Sequence, residues 1–105
     1  TLTDNVYITM AMDGFDPSVA PGVGTPEPGG LDWYDVDILL RSVMNNKKII
    51  GADVVETSPV PCQVVTEFTA AKLAARMIGL TQMKSMPSKL KLPPNKRIKT
   101  KPNEV

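Results

Sequence analysis

The residues with chemical potential fall in two places. The first is MAMDGFDP, where Asp13 and Asp16 stand three residues apart and Ala11 sits two positions before Asp13. Carboxylates are hard oxygen donors suited to divalent cations, and Asp before Gly or Pro is also a turn former. The stretch is therefore either a turn or a cation site short of one donor. The second is Glu56, which closes the apolar run IIGADVVE. The chain has no histidine and one cysteine, Cys62. A lone thiol without an imidazole lacks its usual base, so Cys62 reads as structural or incidental. Ser-His triads, histidine zinc sites and imidazole acid–base catalysis are excluded with it. GVGTPEPGG is glycine-rich but lacks the lysine and the helix setting of a phosphate loop.

The elements that must position these residues alternate. VYITMAM, residues 6–12, is nearly continuous in apolar character, as in a parallel strand buried on both faces. DPSVAPGVGTPEPGG is too rich in Pro and Gly for regular structure, and long loops in compact domains are usually functional. Asp32 caps a predicted helix, with Asp35 three residues on. Val36, Leu39, Leu40 and Val43 give that helix an apolar stripe, and Asn45-Asn46 ends it. Residues 49–56 read as a second buried strand, broken by Ser58-Pro59-Val60-Pro61. From Thr66 onward, Phe68, Ala71, Ala75 and Ile78 share a helical face, with Leu73, Met77 and Leu80 beside it. Asp53, within the second strand, reads as a partner across the sheet or a structural acceptor, the latter favoured. Strand, loop, helix, strand, helix predicts an α/β fold with a parallel sheet. Two strands cannot cover a sheet's faces and edges, so the chain is expected to complete a larger sheet or to pair with another copy. Ligands gather at the carboxyl ends of parallel strands. If the strands are neighbours, Asp13, the GTPEPGG loop and Glu56 line one rim.

Composition bounds the rest. Among 105 residues, 42% are hydrophobic, which suffices for one small domain with an aliphatic core. No apolar run approaches the roughly 18–20 residues of a membrane span. The net charge of +1 hides an acidic body, residues 1–83, and a basic Pro- and Lys-rich tail, residues 84–105. The tail lacks aromatics for stacking bases, so nucleic acid is not an expected partner. The single cysteine fits a reducing compartment.

MDGFDPSVAPGVGTPEPGG, GADVVETSP and VVTEFTAAKLAARMI, in this order and spacing, resemble the C-terminal part of the ureohydrolase family of arginases and agmatinases. The resemblance runs from about Val6 to Leu80. It implies part of a three-layer αβα arrangement around a parallel sheet. It also implies a binuclear manganese hydrolase that cleaves guanidino or amidino C–N bonds and releases urea, with metal-bound hydroxide as the nucleophile. The family's D-x-D ligand pair maps onto Ala11 and Asp13, so only Asp13 keeps a carboxylate. Asp16 matches the following turn former. Glu56 matches the glutamate that receives the guanidinium, and Thr25 matches a loop threonine near the substrate. The remaining metal ligands of the family come from histidine- and aspartate-bearing segments absent here. The chain is therefore expected to be inactive alone and to need a missing N-terminal segment or a homo-oligomer. The alternative is a degenerate relative kept as an association module. The expected location is the cytoplasm, with the mitochondrion as the alternative.

Overall fold

The computed structural model describes residues 2–87. Strand β1 spans Asn5–Ala11, helix α1 Trp33–Asn46, strand β2 Lys48–Val55 and helix α2 Val65–Ser85. β1 and β2 pair in parallel and form a two-stranded sheet. The predicted α/β alternation and parallel pairing are both present. The register runs from Asn5 opposite Lys48 to Ala11 opposite Val55, with one irregularity after Val6 that leaves Ile50 without a counterpart.

Local sequence explains the start of α1. Asp32 accepts from the Asp35 N–H at 2.8 Å, and the Asp35 carboxylate accepts from the Asp32 N–H at 3.2 Å. This reciprocal cap satisfies two otherwise orphaned donors. Val36, Leu40 and Met44 then face inward. Leu39 was expected beside them but is exposed, and Met44 takes the inner position one turn past Leu40. One core joins these residues to Met12, Phe15, Ala20, Val23, Leu73, Met77 and Leu80, with Ile8, Met10, Ile49 and Val54 packed against it. Both helices thus share one face of the sheet. Asp37 on α1 links them by accepting from Arg76 of α2 at 2.6 Å, and it also accepts from Arg41 of its own helix at 2.8 Å.

One expectation needs correction. The strands are not buried on both faces, since Asn5, Tyr7 and Thr9 alternate as exposed residues on the side away from the helices. Of the apolar faces of α2, the one holding Phe68, Ala71, Ala75 and Ile78 points outward. Phe68 is 73% exposed and Ile78 64%, while Leu73, Met77 and Leu80 are buried. The 11 apolar residues among the 21 of α2 are spread around the helix, so periodicity could not select a side. β1 ends at Ala11, within the expected Ala11–Asp13 strand end, and Met12–Gly14 form a short 3-10 turn. The division of acidic body from basic tail at residue 83 is one of charge, and α2 itself runs through Ser85. Residues 88–105, most of the basic tail, lie outside the described residues.

Candidate functional site at the carboxyl ends of the strands

The turn after β1 separates neighbouring side chains by environment. Met12 is wholly buried and anchors the turn in the core. Asp13 stays half-buried, and its Oδ2 accepts a hydrogen bond from the Thr25 hydroxyl at 3.1 Å. Two of the candidate residues are therefore in direct contact across twelve positions of sequence. Ala11 is half-buried at the last paired level of β1 and offers only a methyl group. Its register partner, Val55, immediately precedes Glu56. Asp13 and Glu56 thus follow the carboxyl ends of adjacent parallel strands, on the rim predicted for them. Glu56 is exposed and has φ of 67°. That left-handed conformation is uncommon for glutamate and costs about 1–3 kcal/mol where it persists.

Asp16 behaves as the turn former expected of it. Oδ2 accepts from both the N–H and the hydroxyl of Ser18, and Oδ1 accepts from the Gly29 N–H at 2.9 Å. These donors favour the charged form and hold the carboxyl well below its usual range, at about 2. The loop closes on itself here, because the Asp16 N–H donates to the Leu31 carbonyl and the Leu31 N–H to Gly14. The two glycines are required for different reasons. Gly29 has φ of +88°, and a Cβ on Gly30 would stand 2.4 Å from the Asp16 backbone nitrogen.

Beneath the rim, on the sheet face away from the helices, Asp53 accepts from the Tyr7 hydroxyl at 3.0 Å. That hydrogen bond, with some desolvation and the nearby negative charge, raises the Tyr7 pKa. Asp53 is thus a partner across the sheet, consistent with its structural reading. Gly51 leaves room for the Tyr7 ring, since a Cβ there would lie 2.6 Å from Cε2.

The donor set does not fit a metal held by this chain alone. Among the described residues, no group of three or more His, Cys, Asp or Glu side chains comes together. Asp13 is one carboxylate beside a methyl group. Cys62 is exposed and takes φ of 63°. No helix among the described residues is long and apolar enough to cross a membrane. Sequence reasoning missed Thr66 and Gly22, which hydrogen-bond across 44 positions. A threonine inside an otherwise apolar helix face was the only cue, and its partner is visible only in the fold.

Parallel strands joined through a helix, with acidic residues after their carboxyl ends, define an α/β protein whose polar rim lies at one edge of the sheet. The chain belongs to the arginase family, whose model matches residues 1–79. It is 51% identical over 77 residues to the N(1)-aminopropylagmatine ureohydrolase of Synechocystis, covering 73% of this chain and 25% of that protein. It is 38% identical over 81 residues to the agmatinase of Pyrococcus horikoshii, covering 77% and 29%. Among solved structures, the agmatine ureohydrolase of Thermoplasma volcanium superposes with a TM-score of 0.67 at 41% identity, over 76% of this chain and 27% of that one. The proclavaminate amidino hydrolase of Streptomyces clavuligerus also gives 0.67, at 37% identity over 73% and 26%. The chain spans about a quarter of the length of these relatives.

Proposed function

We propose that this chain is the C-terminal portion of an agmatinase- or arginase-like binuclear manganese hydrolase, and that it supplies one wall of the site without being active by itself. The reaction class is hydrolysis of a guanidino or amidino C–N bond with release of urea. The carrying observation is the meeting of Asp13 and Thr25 after β1, on the same rim as Glu56 after the paired strand β2. Asp13 would face the metal pair. Glu56 would receive the planar guanidinium, for which a carboxylate offers bidentate, charge-assisted hydrogen bonds. Thr25 steadies Asp13 and lies near the substrate in this reading. The uncovered sheet face and the outer face of α2 would pack against the remaining layers of a three-layer αβα fold. Because Ala11 and the sparse donor set do not fit a metal site in this chain alone, no catalytic step is assigned to it.

A chimaera tests the reading. Residues 1–80 replace the matching quarter of the Synechocystis ureohydrolase, and manganese-dependent urea release is measured. With Ala11 retained, activity should be low. Ala11→Asp should raise it beyond the roughly 10–100-fold associated with an outer-shell partner. A folded chimaera that releases no urea in either form contradicts the proposal.

A second reading, a degenerate relative acting as an association module, is favoured by Ala11 itself. It expects the chain to co-purify with an intact family homologue, and the chimaera to stay inactive whichever residue occupies position 11.

A further inference from the structure

Thr66 is 1% exposed and lies in the first turn of α2. Its hydroxyl oxygen does not cap its own helix, whose N-cap, Val64, makes no side-chain bond. It accepts instead from the Gly22 N–H at 2.6 Å. The Gly22 carbonyl in turn accepts from the Ser58 N–H at 2.8 Å. Gly22 is thus held on one side by α2 and on the other by the segment that leaves Glu56. The slot is tight: a Cβ on Gly22 would stand 2.9 Å from Thr66 Oγ1 and 3.0 Å from the Ser58 carbonyl oxygen.

Two residues separate Gly22, held in this clamp, from Thr25, whose hydroxyl reaches Asp13. Val23 is buried in the core and its N–H donates to the Pro21 carbonyl at 3.1 Å. Only Gly24 and Thr25 then extend into solvent before the Thr25 hydroxyl meets Asp13. So short a span leaves little slack between the clamp and the rim.

We propose that Thr66 is a positioning residue for the candidate site. It fixes the loop 21–25 against the segment 56–58, and so sets where Thr25 stands relative to Asp13 and Glu56. The importance of this placement for substrate rests on the function proposed above; the mechanical coupling does not.

The test uses the full chain and amide hydrogen exchange with NMR shifts of the Thr25 and Asp13 side chains. Thr66→Val keeps the β-branched shape but removes the acceptor for the Gly22 N–H. It should speed exchange at Gly22 and Ser58 by about tenfold or more, the scale of one unmade buried bond. The Thr25 and Asp13 side-chain shifts should move with it, while the amides pairing β1 with β2 keep their rates. Thr66→Ser, which retains the oxygen, should restore all of these values. Gly22→Ala pushes the loop out of its slot by a separate route and should displace the same Thr25 and Asp13 signals. The proposal is overturned if Thr66→Val leaves Gly22 exchange unchanged, if Thr25 and Asp13 do not respond, or if every amide accelerates alike and Gly22→Ala leaves Thr25 in place. None of these readouts needs catalysis, so a silent chimaera and a failed clamp are separate results.

Discussion

The loop between residues 13 and 31 ties its carboxylates and several backbone groups to one another within the chain, whereas the outer face of α2 leaves Phe68 and Ile78 uncovered. In the loop, carboxylates, amides and two glycines hold one another in a fixed arrangement, with Phe15 and Val23 sunk beneath them. Along α2, an apolar surface faces outward beside a groove formed with β2 by Ile50, Ala52, Ala74 and Ile78. The difference separates two tasks. The loop needs only this chain to present its donors, while the sheet and α2 keep open faces that, under the proposed function, further polypeptide would cover.

The contrast is broken most directly at Leu73 and Gly30. Leu73→Ala opens the buried side of α2 and should lower the unfolding free energy of the chain by about 2–5 kcal/mol in a urea melt. Gly30→Ala forces a methyl group onto the Asp16 backbone and should cost about 1–3 kcal/mol. A loss at Gly30 no larger than that of an ordinary surface substitution would show that the loop is not fixed as described.

Asp16 sharpens the comparison through pH. Its folded pKa, about 2, lies below the ordinary 3.8. The unfolded chain therefore binds the proton more readily, and the stabilisation is present above the ordinary value. It is lost as pH falls from near 4 through about 2. In melts across that window, Asp16→Asn should flatten the decline in Tm. An unchanged slope would mean that the Ser18 and Gly29 bonds do not hold the charged form.

The smallest effect belongs to the open face. Ile78→Ser should change the stability of the isolated chain by no more than about 0.5 kcal/mol. The same substitution should weaken packing in the chimaera, measured as a lower Tm there. Equal effects in both settings would show that the face is not reserved for additional polypeptide.

Much of this was legible before the fold was known. Asp32 and Asp35 announced the start of α1, and the two apolar runs separated by a helix announced parallel strands. The rim followed from the same pattern, because parallel neighbours bring their carboxyl ends together. What was hidden depended on tertiary choice. Leu39 and Leu40 are equally apolar, and only packing selects Leu40 for the core. Phe68 is bulkier than Leu73 or Met77 and Ile78 is about their size, yet both remain outside. The clamp of Thr66 on Gly22 joins residues 44 positions apart, a distance at which no local spacing rule operates.

The most direct test of the proposed wall is manganese stoichiometry in the chimaera, read by titration calorimetry and elemental analysis. The account expects two ions per site with Ala11→Asp, and weaker or incomplete loading with Ala11 or with Asp13→Ala. Identical loading in all three forms would contradict it, because positions 11 and 13 would then have no place at the metals.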